Sequence, residues 1–162
     1  MTSDPQLESL KQLREDARQV MNEKKREFDL ARANRDDLQR TYGPIVEQMK
    51  QNIDSMYAQR RSWSEQASAA WSVGEKSTAK KLAVEANGYN SQIDFAKRLR
   101  EGYIAHLKSA REAVNQTRAS YEKAKAGFEE WQDAVNARRT ELWRMSRRHS
   151  RQSGGFVNGQ TA

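Results

Sequence analysis

The fold is decided by residues 79–145, which read AKKLAVEANGYNSQIDFAKRLREGYIAHLKSAREAVNQTRASYEKAKAGFEEWQDAVNARRTELWRM. Two rows of mostly apolar residues recur in this stretch at every seventh position without interruption. The first row is Ala79, Ala86, Ile93, Arg100, Leu107, Val114, Tyr121, Phe128, Val135 and Leu142, and the second is Leu82, Tyr89, Ala96, Tyr103, Ala110, Thr117, Ala124, Trp131, Arg138 and Met145. A heptad repeat of this length predicts one long helix with a narrow apolar face for another helix.

A matching repeat precedes this stretch. Apolar residues at heptad spacing run through 7–42 and resume over 46–70, and one extra residue is absorbed at Gly43 and Pro44. Because proline has no amide hydrogen and disfavours helix at the residue before it, we expect a break at this point. The pattern is compatible with a kinked continuous helix or with two helices.

Helix-terminus residues indicate where the two arms begin and end. Asp4 is a suitable N-cap, and Pro5 is a suitable first helical residue. Gly74 is expected to be the C-cap of the first arm and Ser77 the N-cap of the second. Residues 74–77 are therefore the predicted hairpin turn.

The sequence predicts an all-α protein in which the arms form a long antiparallel coiled-coil hairpin, with helices over about 5–42, 44–73 and 77–148. Further dimerisation is left open. We expect residues 1–150 to form a single elongated domain and 151–162 to be a disordered tail. The alternative is a three-helix bundle, in which the first helix folds back at Gly43 and Pro44.

Folding the chain about residue 75 pairs position i with roughly position 150 − i. This register places Phe28 near Tyr121, and Trp131 opposite Ala17. Large side chains thus face small ones, as close packing between two helices requires. The same register brings Arg100 near a like-charged residue, Lys50, for which the hairpin alone gives no reason.

Composition argues against several classes of function. The chain has 162 residues, a net charge of +7, no cysteine and only two histidines, His106 and His149. Without cysteine there are neither disulfides nor thiolates, and neither histidine has acidic residues at a ligand or triad spacing. No signal peptide or membrane span is evident. We therefore expect a cytoplasmic protein that is not an enzyme, with no cofactor, metal or small-molecule substrate.

The central turn resembles a known pattern. Residues 67–82 read ASAAWSVGEKSTAKKL, with an Ala-aromatic pair, a turn glycine and a later Ala…Leu. This stretch resembles the small helical-hairpin domain that precedes Smr nuclease domains. The resemblance implies a helical hairpin associated with nucleic-acid-processing proteins. The glycine that the family carries on its second helix is replaced here by Ala86 or displaced to Gly88.

The best functional candidate is an arginine-rich segment near the C-terminus. Residues 138–162 contain six arginines and one acidic residue, Glu141. Guanidinium groups bind phosphate or carboxylate in a bidentate manner, and a tryptophan can stack on a base. The candidate residues for binding nucleic acid or an acidic partner are Arg138, Arg139, Trp143, Arg144, Arg147, Arg148 and Arg151. The alternative reading is that these cations complement the helix dipole and keep the helix end soluble.

Two function hypotheses follow. The first is a non-enzymatic interaction or scaffold protein that acts as a spacer, adaptor or assembly component. It would contact a protein partner, or itself, through the flanks of its helices, at Trp71, Phe95, Arg100 and Ile104. The second is a nucleic-acid-associated protein that binds the phosphate backbone through the arginine segment. A membrane surface is disfavoured, because only Trp143 and the arginines would support it.

Overall fold

The chain forms two long helices that pack against each other as an all-α helical hairpin, as predicted. The computed structural model describes residues 3–157. Helix α1 is Pro5–Ser72 and helix α2 is Lys76–Val157, and no strand occurs among these described residues.

Helix α1 continues through Gly43 and Pro44, so the predicted division into helices 5–42 and 44–73 is wrong. The alternative three-helix bundle is excluded for the same reason. Pro44 forfeits only one backbone hydrogen bond, and its ring lies on the exposed side of the helix. Ile45 and Val46 are both half-buried. The extra residue in the heptad pattern is thus accommodated within one helix, whose apolar contacts on both sides of the proline hold it together.

The beginning of α1 agrees with the sequence. The carboxylate of Asp4 accepts a hydrogen bond of 2.9 Å from the amide of Leu7, and its carbonyl accepts one of 3.0 Å from the amide of Glu8. Asp4 is therefore the N-cap of α1, and Pro5 is its first residue.

The hairpin turn is shorter than predicted. Gly74 has a φ of +85°, and its amide donates to the carbonyl of Trp71. The amide of Glu75 donates to the carbonyl of Ala70, which completes a Schellman motif. The carbonyl of Glu75 already accepts from the amide of Ala79. Helix α2 consequently begins at Lys76, and the prediction that Ser77 is its N-cap is wrong.

Helix α2 is longer than predicted at its other end. It continues to Val157, so its predicted end at 148 is too early, and residues 151–157 are helical where a disordered tail was expected. A glycine costs about 1 kcal/mol in a helix, and the backbone stays helical across Gly154 and Gly155. Residues 158–162 of the predicted tail lie outside the described part of the chain.

The chain divides into two compact units. One is Ala31–Val114, and the other combines the residues before Ala31 with those after Val114. The single elongated domain expected over 1–150 stays a prediction. The buried residues of the first unit are Ile53, Ala70, Ala79, Ala86, Ile93, Leu107, Ala110 and Val114. In the second unit Val135 is completely buried, and the rings of Phe28 and Tyr121 stack with centroids 6.1 Å apart, as the predicted register requires.

The two heptad rows of α2 differ in burial. Every member of the first row is buried or half-buried. In the second row Met145 is 53% exposed and Trp131 is 36% exposed, so Trp131 lies at the edge of the contact between the helices and not in its interior as predicted. A helix with 3.6 residues per turn drifts from a strict seven-residue repeat. Late in α2 the neighbouring Gln132 faces α1 instead and accepts a hydrogen bond of 3.3 Å from Arg14.

Candidate interaction surfaces

Arg138 is bound within the chain. Its guanidinium donates to both carboxylate oxygens of Asp4, at 2.9 and 3.0 Å, and to Glu141 at 3.0 Å. Its side chain is only 17% exposed. This ion pair joins the first turn of α1 to α2, and it also orients the carboxylate that caps α1. Arg138 is thus engaged in the hairpin, whereas the other arginines of the segment are exposed.

The ion pair shifts the pKa values of both partners. Hydrogen bonds from Arg138 hold the pKa of the Asp4 carboxyl below its usual range. Partial burial raises this pKa, but the Leu7 amide and the charge of Arg138 also lower it. Hydrogen bonds to Asp4 and Glu141 raise the pKa of Arg138. Both shifts favour the charged forms, because each group hydrogen-bonds to the ionised state of the other.

Beyond Arg138, α2 extends past the first residue of α1. Within this extension Arg144, Arg147, Arg148 and Arg151 are exposed. At 100° per residue these four side chains fall within an arc of about 100° and form one cationic stripe. Arg139 lies about 140° from Arg144 and is therefore outside the stripe.

Trp143 extends the stripe with an aromatic surface. Its side chain is 56% exposed, and the guanidinium of Arg147 lies 4.3 Å from the centroid of its ring. This cation–π contact keeps an indole face beside the arginines. The predicted residues Arg144, Arg147, Arg148 and Arg151 thus share one stripe, and Trp143 borders it beside Arg147. Arg138 is not part of the stripe, and Arg139 lies one turn before Trp143, on the side of the indole away from the stripe.

The four predicted protein-contact residues do not form one surface. Trp71 lies at the hairpin tip and is 56% exposed. Arg100 points towards α1, where its Nε donates to the carbonyl of Val46 at 3.2 Å. Ile104 is nine positions from Phe95 and so lies on the opposite side of α2. Of the four, Phe95 and Trp71 each belong to an exposed apolar region, and the two regions are separate.

The hydrogen bond of Arg100 also explains why it tolerates Lys50. Both residues line a groove with a third cation, Lys97, and with two carboxylates, Asp54 and Glu101, that partly offset the positive charge. The Val46 carbonyl provides Arg100 with a further acceptor. An acidic partner is therefore not required at this position.

An exposed face of α2, one edge of which borders Tyr42 of α1, carries residues that the heptad analysis did not identify. We call the exposed positions Val84, Gly88, Ser91, Phe95, Leu99, Gly102 and His106 the outer α2 face. Val84, Phe95 and Leu99 are 69%, 65% and 45% exposed. A Cβ atom added at Gly88 or Gly102 would meet nothing within 4 Å, so no contact within the described chain requires these glycines. Spacing from Phe95 on a helical wheel would have revealed this face.

The hairpin tip is a second exposed apolar region. Trp71 and Val73 are 56% and 72% exposed, and Lys76 lies 5.8 Å from the centroid of the indole ring. An open groove beside Trp71 is lined by small side chains and Lys80. Such a region is suited to contact with another protein surface.

The described residues contain no cluster of three or more His, Cys, Asp or Glu side chains that could hold a metal ion. None of the described helical segments is both long and apolar enough to span a bilayer. Comparison with models of known protein families, with curated proteins and with solved structures finds no match.

Proposed function

We propose that this chain is a non-enzymatic interaction protein, acting as a spacer, adaptor or assembly component. The observation that supports the proposal most directly is the position of its large apolar side chains. Val73, Val84 and Phe95 are all more than 60% exposed, although the hairpin buries only a thin apolar interior. Exposed apolar surface of this kind is typical of sites that bind another protein. A cytoplasmic location is part of this proposal and is compatible with the lack of cysteine.

The test is affinity capture of protein partners from native extract with three matched baits. The baits are the unmodified chain, a tip variant (Trp71→Ser) and an outer-face variant (Phe95→Ser). Because both side chains are exposed, neither change should unfold the hairpin, which circular dichroism checks. We expect at least one captured protein to be lost with one variant and retained with the other. Capture that is identical for all three baits, or absent from all three, would contradict the proposal.

A second candidate function is binding to the phosphate backbone of nucleic acid. It is favoured by the cationic stripe of Arg144, Arg147, Arg148 and Arg151 beside Trp143 on the part of α2 that extends past the start of α1. Exposed arginines supply the charge for phosphate contacts, and the indole supplies a stacking surface. The resemblance of residues 67–82 to the hairpin domain associated with Smr nucleases stays a prediction and is in line with this candidate.

A further inference from the structure

The outer α2 face is self-complementary about Phe95. From Val84 to His106 its positions are separated by 4, 3, 4, 4, 3 and 4 residues, the same sequence of steps in both directions. At 100° per residue all seven positions lie within an arc of about 80°. A twofold axis at Phe95, perpendicular to α2, would pair position i of one copy with position 190 − i of another.

The residues paired by this axis are chemically compatible. Gly88 of one copy faces Gly102 of the other, on both sides of the axis. Each glycine destabilises a helix interior by about 1 kcal/mol relative to alanine, and space for a Cβ atom is open at both. Close approach of a second helix backbone is a reason for glycine that contacts within the chain do not provide. Phe95, at the centre, faces its own counterpart.

Charged residues beside the outer α2 face are complementary in the same register. Asp94 and Arg98 lie on one flank, and the axis places Arg98 within about 3 Å, measured along the helix, of Asp94 in the other copy. Arg98 donates to its own helix, to the carbonyl of Asp94, and neither side chain forms an ion pair within residues 3–152. On the other flank Glu85 of one copy faces His106 of the other as a hydrogen-bond acceptor, and the His106 ring lies 6.2 Å from the ring of Tyr42 in its own chain. Twofold symmetry makes each of these pairings occur twice.

The outer α2 face also has a groove at the end that the second copy would cover. Leu99, Gly102, Tyr103 and His106 line it together with Tyr42 of α1. Its α2 positions, 99–106, face positions 84–91 of the second copy in this register. Within 84–91 the large exposed side chain is Val84, which therefore faces this groove.

We propose that the outer α2 face binds a second copy of this chain, antiparallel and with Phe95 on the twofold axis. This inference rests on the proposed interaction function and names one partner for it. The contact spans about 33 Å of one helix per copy, at 1.5 Å per residue. An interface of this length is at the small end for specific dimers, so the dimer dissociates on dilution.

The decisive experiment is a charge exchange, measured by sedimentation equilibrium over a wide range of concentrations. Asp94→Arg alone places arginine against Arg98 of the other copy, and Arg98→Asp alone places two aspartates together. Each variant should therefore dimerise at least about tenfold more weakly than the unmodified chain. An equimolar mixture of the two variants restores both attractive pairs and should form heterodimers with near-original affinity. A parallel dimer, or a register displaced from Phe95, would not show this recovery.

Glycine variants provide an independent test. Gly88→Ala with Gly102→Ala should raise the thermal midpoint of the dilute chain, because alanine favours helix and its Cβ meets open space. The same double change should weaken dimerisation, because it separates the two backbones. Gly127→Ala is the matched control: it also adds a Cβ in open space, but outside the outer α2 face, and should leave dimerisation unchanged.

Phe95→Ser should weaken dimerisation at least about tenfold, whereas Leu30→Ser, at an equally exposed leucine on α1, should not. A chain that stays monomeric at every concentration, or a dimer insensitive to Phe95→Ser, would overturn the inference. A monomer that still captures proteins through Trp71 would leave the interaction function standing. A dimer that captures no other protein would support this inference and limit the interaction function to self-association.

Discussion

Asp4 has two structural roles that can be separated by changing a single side chain. Its carboxylate caps α1 through the Leu7 amide and also receives the guanidinium fork of Arg138. Asparagine is as good an N-cap as aspartate but has no charge to pair with arginine. Asp4→Asn therefore removes the ion pair and retains the cap.

We expect the stabilisation from the ion pair to depend on pH. The Asp4 pKa is lower in the folded chain than the value of 3.8 for an unperturbed carboxyl. Such a group stabilises the fold at pH above the unfolded-state pKa, and this contribution is lost as pH falls through the folded-state pKa. Thermal unfolding should show Asp4→Asn less stable than the unmodified chain at neutral pH, and the difference should shrink as the pH falls below 3.8 and through the lower folded-state pKa.

The control for this prediction is Glu15→Gln. Glu15 forms an ion pair with Arg18 at 3.3 Å in which both side chains are 45% exposed, and exposed pairs of this kind contribute little. The control should therefore change the thermal midpoint only slightly at any pH. A difference between Asp4→Asn and the unmodified chain that did not shrink at any acidic pH would contradict the assigned role of the carboxylate.

Arg138 shows why side-chain roles were harder to predict than the hairpin. The sequence register placed position 138 opposite about position 12, whereas its partner is Asp4. A long arginine side chain reaches along the helix, so a heptad position does not determine which residue it contacts. The pairing of Phe28 with Tyr121 was predictable, because both are rigid apolar side chains at interior positions.

At the scale of helices, apolar periodicity and turn chemistry were sufficient to predict the hairpin. Gly74 identified the end of α1, since the Schellman motif requires a positive φ there. Pro44 was misleading as a sign of a break. The free energy that one proline costs a helix is smaller than the total stabilisation from contacts along a helix of 68 residues. The outer α2 face was missed because glycine and serine dilute its apolar residues, so it does not stand out beside the heptad rows.

Replacing Pro44 should strengthen α1. Pro44→Ala supplies an amide for the carbonyl of Arg40 and removes the clash of the ring with that turn, so we expect stabilisation by about 1–3 kcal/mol. Pro5→Ala is the matched control, since a proline at the first helical position lacks only an amide that would have had no helical partner. It should change stability by less than about 0.5 kcal/mol. Urea denaturation of the dilute chain measures both.

The opposite result for Pro44 would also be informative. If Pro44→Ala destabilised the hairpin, a local bend at the proline would be necessary for the half-buried residues Ile45 and Val46 to meet α2. Equal effects of the two proline changes would show that position 44 behaves like a helix end. Either outcome would contradict the interpretation that Pro44 is merely tolerated in a continuous helix.

For the whole molecule, the distribution of charge matters more than its sum. The net charge is +7, and residues 138–162 alone contribute six arginines against Glu141. The sequence was sufficient to locate this segment. Its i, i+3, i+4, i+7 spacing also predicts one cationic stripe of four arginines if the helix continues. The structure adds that the helix does continue and that Arg138 is bound to Asp4. The number of cations available to a polyanion is therefore smaller than the composition suggests.

The number of arginines that contact phosphate can be measured from the salt dependence of binding. If the four arginines of the stripe contact duplex DNA, the logarithm of the association constant should fall with the logarithm of salt concentration with a slope of up to about −3.6. Arg144→Gln or Arg148→Gln should each reduce the slope by about one unit, because one phosphate contact is lost. Fluorescence anisotropy with a short labelled duplex at several salt concentrations measures the slope.

Arg139→Gln is the control for charge alone, since it removes one cation from the same segment but from outside the stripe. We expect its slope to match that of the unmodified chain, with only a small loss of affinity. If Arg139→Gln and Arg144→Gln had equal effects, binding would depend on net charge and not on the stripe. If no binding occurred even at low salt, the arginines would serve only to complement the helix end, and the nucleic-acid function would have to be abandoned while the interaction function remained.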